Sequence, residues 1–274
     1  MSIVVTGALG FIGGNFVKFL NNKGFTDIII VDYFDASIHS KLLSELKYKE
    51  LQTPEFFFEN AKKEDFVIHL GACSSTSNSL SEKHEKNYNE AINLIEKKKT
   101  NIIYASSAAT YGNDGVNPLN TYGVCKKKID EFAKGKDVIG LRFFNVYGNG
   151  EDNKGSMASM IYKMLHNADT KLFKYGEQLR DFVYVGDVVE TIYYLMNNFN
   201  KVEKGTYDVG TGQPVSFYEV YKLIMNKDPE YIDMPLEIKK YFQVNTKADL
   251  TKLRKNGYPN KFRTIKEGIK EMRK

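Results

Sequence analysis

Apolar positions along the chain alternate between two periods. Ile3 to Thr6 is a short apolar run of the kind that forms a buried strand. Phe11 to Asn22 then carries Phe11, Ile12, Phe16, Phe19 and Leu20 at helical spacing. Gly24 stands where such a helix ends in a C-cap. Ile28 to Asp32 reads as the second strand, and Thr53-Pro54-Glu55 supplies an N-cap, a first-turn proline and a first-turn acid for a short helix. Phe66 to Gly71 reads as a strand, and the pattern requires one more before it without fixing its residues. Ser81 to Lys98 is predicted as a helix with a charged outer face, Ile102 to Ser106 as a strand, Asn120 to Lys134 as a helix and Val138 to Arg142 as a strand. Alternation of this kind predicts an α/β fold with a doubly wound parallel sheet.

After about Gly148 the pattern loosens. The turn clusters Gly148-Asn149-Gly150, Gly210-Thr211-Gly212-Gln213-Pro214 and Asp228-Pro229 separate shorter elements, which predicts a smaller lobe without an independent fold. The expected division gives residues 1–148 and 181–212 to a dinucleotide-binding domain. Residues 149–180 and 213–274 fall to a substrate-binding lobe.

Composition narrows the class of protein. The 274 residues are 42% hydrophobic and 27% charged, an ordinary globular balance. Two cysteines, Cys73 and Cys125, with no clustered Cys/His spacing, argue against a disulfide scaffold and against a metal site, and fit the reducing cytoplasm. No apolar run is long enough to span a bilayer, and the N-terminus lacks the pattern of a secretion signal, so no membrane association is expected. The net charge of +5 comes from lysines spread along the chain, a pattern of solvated surface that argues against nucleic acid and suits an anionic small molecule.

Two constellations carry chemistry. Gly7-Ala-Leu-Gly10-Phe11-Ile12-Gly13 lies between a strand and a helix, where glycines let the backbone approach a pyrophosphate held on the helix N-terminus. Asp32 ends the next strand, where a carboxylate accepts from a ribose 2′-hydroxyl. That carboxylate repels a 2′-phosphate, and no Lys or Arg lies between Tyr33 and Ser40, so NAD is favoured as cofactor; Lys41 is the nearest cation that leaves NADP open. The second constellation is Tyr122-Gly-Val-Cys-Lys126, whose i, i+4 spacing puts a phenol and an ammonium on one helix face. A nearby Lys charge is expected to favour the phenolate and tune it for proton transfer, and Ser106 and Ser107 close the preceding strand at its carboxyl end, where a Ser hydroxyl can steady the same substrate oxygen.

Taken together with His69-Leu-Gly71-Ala72, Phe144-Asn-Val-Tyr-Gly148, Lys154-Gly-Ser-Met-Ala-Ser159 and Arg180-Asp-Phe-Val183, these motifs resemble the extended short-chain dehydrogenases/reductases that act on nucleotide sugars. Within that family the match is to the nucleotide-heptose 6-epimerase branch. The resemblance implies a Rossmann fold, a nucleotide-diphosphate sugar as partner, and self-association of the chain, although no apolar stripe can be assigned to an interface. It implies transient oxidation of the sugar at C6 to a ketone and re-reduction on the other face, an isomerisation that consumes no cofactor.

By the same resemblance Tyr122, Lys126, Ser107 and Lys154 are catalytic, with Lys154 as second acid/base. Gly71, Ala72 and Asn87 join the glycine loop and Asp32 in holding the cofactor, and Ser74, Ser107, Asn145, Lys154, Ser156 and Arg180 hold the substrate. Read without the family, Arg180 pairs equally well with Asp181 or Asp187, Asn145 caps a turn, and Asn87 faces solvent. The related 4,6-dehydratases place an Asp-Glu pair where this chain has Ala108 and Ala109, which cannot exchange protons. Two other readings stand beside the 6-epimerase: an oxidoreductase or epimerase acting at another carbon, such as C4 of a GDP-heptose, and a non-catalytic NAD-binding sensor. The sensor has no use for Ser107, Tyr122 and Lys126 together.

Overall fold

The computed structural model describes residues 2–60, 66–75, 81–97, 100–166 and 170–274. Its first half is a run of β/α units: β1 (Ile3–Thr6), α1 (Phe11–Asn22), β2 (Ile28–Val31), α2 (Ala36–Glu45), β3 (Glu50–Gln52), α3 (Pro54–Asn60), β4 (Phe66–His69), α4 (Ser81–Lys97), β5 (Asn101–Ser107), α5 (Thr121–Phe132) and β6 (Val138–Phe143). Then come β7 (Asn145–Tyr147), α6 (Met160–Leu165), β8 (Leu172–Phe173), β9 (Leu179–Arg180), β10 (Phe182–Tyr184), α7 (Val185–Asn197) and β11 (Gly205–Val209). The chain closes with β12 (Val215–Ser216), α8 (Phe217–Met225), β13 (Tyr231–Ile232), α9 (Leu236–Lys239), α10 (Thr251–Lys255) and α11 (Ile265–Met272). The strand left open by the pattern is β3, a half-exposed edge strand that precedes α3. The predicted helix end at Lys98 lies outside the described residues.

Seven strands form one parallel sheet in the order β11-β6-β5-β4-β1-β2-β3. Its central strands are apolar on both faces because helices cover both. Ile3, Val5, Ile28, Ile30, Phe66, Ile68 and Ile103 point toward α1 and α7, and Val4, Ile29, Val31, Val67, Ile102 and Tyr104 point toward α4 and α5. Each such side chain taken out of water contributes about 1.5–3 kcal/mol. The chain winds outward from β1 in one direction through β2 and β3 and in the other through β4, so a crevice opens between the carboxyl ends of β1 and β4, where sheets of this kind bind ligands.

A third cluster, Tyr147, Ile161, Met164, Leu172, Phe182, Val220, Tyr221 and Ile269, joins α6, α8 and α11 beside the sheet. Capping boxes at Ser216/Glu219 and Thr264/Glu267 start α8 and α11. Buried Asp181 ties this region to the sheet. Its carboxylate accepts from Thr211 N (2.7 Å), Thr211 Oγ1 (2.6 Å), Gly212 N (2.8 Å) and Ala248 N (2.9 Å). Leu253 and Tyr258, from the segment after α9, pack with the main sheet's core. The described residues include no helix long and apolar enough to cross a membrane.

Candidate active site

The turn after β1 is built for close approach. Gly7 has φ +69°, and a Cβ added at Gly13 would lie 2.0 Å from the Gly7 carbonyl oxygen, so α1 packs against the turn only without a side chain there. Gly10 is the N-cap of α1; it offers no side-chain cap, and the first turn carries no acid. The amides of that turn and the positive end of the helix dipole are left to an anion. Thr6 Oγ1 sits 2.8 Å from His69 Nδ1 and accepts from Gly71 N at 3.0 Å, which pins the ends of β1 and β4 side by side. Asp32 accepts from Leu9 N and Tyr33 N, both at 2.8 Å. Burial pushes its carboxyl up, and those N–H groups pull it back. The cation nearest Tyr33, Lys86, is already engaged by the Tyr33 hydroxyl (2.6 Å) and Glu55 (3.3 Å).

A cavity of about 850 Å³ opens at this crevice. It is lined by Gly7, Gly10, Phe11, Ile12, Gly13 and Asp32, by Gly71, Ala72 and Ser74 after β4, by Ser107, Tyr122 and Lys126, and by Asn145, Lys154 and Ser156. Fifteen of the residues singled out in the sequence therefore converge on one space. Asn87 and Arg180 are outside it. Asn87 acts through the backbone instead: its side chain accepts from Cys73 N and donates to Cys73 O, each at 2.9 Å, which fixes the Gly71–Ser75 loop. Its buried side chain does not face solvent.

Asn120 starts α5 by accepting from Gly123 N at 2.9 Å, which places Tyr122 and Lys126 against the end of β5. Ser107 ends that strand and accepts from Ala109 N at 3.1 Å. The acidity of the pair differs from the sequence expectation. Burial pushes the Tyr122 phenol up to about 12; the Ser107 hydroxyl, hydrogen-bonded to it, pulls it down. Lys126 does not offset the burial, because its ammonium donates to the Ala105 carbonyl at 2.7 Å and lies 5.8 Å from the centre of the Tyr122 ring. Burial pulls Lys126 itself down to about 8. The protein alone thus holds Tyr122 as a neutral phenol.

Lys154, also in the cavity lining, lies on the loop after β7. Its ammonium is 3.3 Å from the buried Glu151 carboxylate and 4.8 Å from the centre of the Phe11 ring. Glu151 also accepts from Gly148 N (3.1 Å), Ser159 N (2.6 Å) and Ser159 Oγ (2.7 Å), so it fixes the loop that carries Lys154. Asn145 is exposed in the cavity wall; it is part of β7 and caps no turn. Arg180 pairs with neither Asp181 nor Asp187. Its buried guanidinium donates to the carbonyls of Leu179 (2.9 Å), Val244 (3.1 Å) and Gln243 and lies between Phe217 and Phe242, 5.6 Å and 4.7 Å from their ring centres. Asp187 is taken by Arg263 instead.

Two further polar groups belong to this region, Ser106 at the strand end marked in the sequence and His84, which carried no sequence signal. The Ser106 hydroxyl is buried in the cavity wall with no hydrogen-bond partner among the described residues. His84 is fully buried against Tyr122. Both depend on which face of a strand or helix meets which neighbour.

The family described as NAD dependent epimerase/dehydratase matches residues 3–210. The chain is 36% identical to the ADP-L-glycero-D-manno-heptose-6-epimerase of Fusobacterium nucleatum, over 98% of this chain and 96% of that one. The alignment runs to 328 positions, more than the 274 residues here, so the relative holds internal segments that this chain lacks. Among solved structures, the ADP-L-glycero-D-manno-heptose-6-epimerase of Helicobacter pylori superposes with a TM-score of 0.82 at 28% identity, covering 99% of this chain and 94% of that one. MoeE5 in complex with UDP-glucose and NAD superposes with a TM-score of 0.80 at 26% identity, covering 99% and 97%.

Proposed function

The chain belongs to the NAD dependent epimerase/dehydratase family, and from that premise we propose that it inverts C6 of an ADP-linked heptose by transient oxidation and re-reduction. The observation that carries the reading is the cavity itself: Ser107, Tyr122, Lys126 and Lys154 line one space together with the glycine turn and Asp32. An epimerase must meet the same hydroxyl in two orientations, and two proton-exchanging groups in one cavity suit that task. The two heptose epimerases among the compared proteins support the choice of sugar.

The residues present fit NAD. The uncapped α1 N-terminus accepts a pyrophosphate, the glycine turn leaves room for it, and Asp32 keeps acceptor capacity for a ribose hydroxyl while disfavouring a 2′-phosphate. Bound NAD supplies the oxidising and then the reducing equivalent. Tyr122 gives up its own phenol proton to solvent before the reaction and, as the phenolate, takes the C6 hydroxyl proton, while Ser107 holds the oxygen. Lys126, tied to the Ala105 carbonyl, keeps a cation within reach of that phenolate. Lys154 returns a proton to the oxygen in its second orientation. Asn145 and Ser156, in the cavity lining, receive the diphosphate of the sugar nucleotide, and Arg180 lies behind them against Phe217, tied to the carbonyls of Leu179 and Val244.

We assign residues 1–148 and 181–212 to the dinucleotide part and 149–180 with 213–274 to the substrate lobe; Tyr147 and Phe182 pack with the third cluster, and Leu253 and Tyr258 with the main core. The test is incubation with NAD and either ADP- or GDP-linked heptose, with product stereochemistry read by NMR. Inversion at C6 of the ADP sugar supports the reading; inversion at C4, or turnover of the GDP sugar alone, replaces it.

A further inference from the structure

Resting on that reading, we propose that His84 is a positioning residue that locks the substrate-side loop Gly71–Ser75 to the catalytic helix α5. Its imidazole is fully buried and makes a bond at each end: Nε2 to the Ser75 carbonyl and Nδ1 to Thr121 Oγ1, both at 2.8 Å. A carbonyl only accepts, so Nε2 donates to it, and Nδ1 shares the second bond with the Thr121 hydroxyl. The ring also meets the Tyr122 ring edge to face, with centres 5.7 Å apart and planes at 61°. One turn further along α4, Asn87 grips Cys73 from both sides of its peptide backbone. Residues i and i+3 of one helix face thus hold the loop, and only His84 of the two also reaches α5.

The loop carries Ser74 and the helix carries Tyr122, and both line the cavity. The distance between a group that holds the sugar nucleotide and the group that exchanges its proton is therefore set through one imidazole. Proton transfer tolerates little misplacement, because a shift of about 1 Å costs on the order of a hundredfold in rate.

Two variants test this. His84→Phe keeps a ring against Tyr122 and loses both hydrogen bonds, and His84→Gln restores a donor for the Ser75 carbonyl. The expected result for His84→Phe is a fall in kcat of about tenfold or more and an altered kcat–pH profile. NAD affinity, read by calorimetry, stays within about twofold of the parent, and His84→Gln recovers most of the kcat loss. Without any substrate, amide exchange at Cys73 and Gly123 accelerates in His84→Phe and slows again in His84→Gln, while amides of β1 stay at parent rates. A folded His84→Phe protein with parental kcat and pH profile overturns the proposal, even if its melting temperature falls. If the parent turns over no nucleotide heptose, the functional reading fails, and the exchange pattern alone decides the positioning role: parental exchange at Cys73 and Gly123 refutes it.

Discussion

Replacing Lys126 by Met is predicted to remove activity and at the same time make the protein more stable near neutral pH. A lysine ordinarily titrates at 10.5, and burial pulls this one down to about 8. Between those values the unfolded chain binds more protons than the folded one, so stability rises with pH across the window, and the cost of burying the cation is complete below about pH 8. That cost is about 3 kcal/mol at neutral pH and falls to about 1.4 kcal/mol at about pH 9.5. Against it stands the bond from Nζ to the Ala105 carbonyl at 2.7 Å, worth about 1.5 kcal/mol. Met fills a similar volume without a charge. Urea unfolding should therefore place Lys126→Met about 1–2 kcal/mol above the parent at neutral pH, with the difference shrinking toward zero by about pH 9.5. A variant less stable than the parent at neutral pH, or a difference that does not change with pH, would show that the buried ammonium is not under strain and would refute the reasoning.

Two further outcomes follow from the site. Tyr122→Phe keeps the ring packing and loses the hydroxyl, so epimerisation in a product-ratio assay should fall by at least about a hundredfold while the melting temperature stays near the parent's. Calorimetric titration should show NAD binding at least about tenfold tighter than NADP, and Asp32→Asn should narrow that ratio by relieving repulsion of the 2′-phosphate. Equal affinities in the parent would remove Asp32 from cofactor choice.

Local periodicity carried much of the fold. Ile3–Thr6, Phe11–Asn22 and Ile28–Val31 are legible because both faces of a central strand, and one face of its helix, must be apolar. The edge strand β3 was not legible, since Glu50–Gln52 pairs on one side only and is half exposed. Helix α7 was missed for another reason: Val185, Gly186, Val188, Val189, Thr191 and Ile192 have weak helical propensity, and burial against α1 and the sheet decides its state.

In the site, the spacing of Tyr122 and Lys126 predicted their proximity correctly and their acidity wrongly. Spacing reports which groups share a face, whereas acidity depends on how much water the fold removes and where the ammonium finds its acceptor. The same limit applies to Asn87 and Arg180. Both residues are buried, but what they touch, the Cys73 backbone and the carbonyls of Gln243 and Val244, comes from tertiary packing.

The central claim is that C6 of the sugar is oxidised and reduced within one binding event. It is tested most directly with ADP-heptose carrying deuterium at C6, incubated with the enzyme and NAD and followed by NMR. The account predicts a mixture of the two C6 epimers in which deuterium stays at C6 and no reduced cofactor accumulates. Inversion accompanied by loss of deuterium to solvent would mean a deprotonated carbon rather than a ketone, and would contradict it.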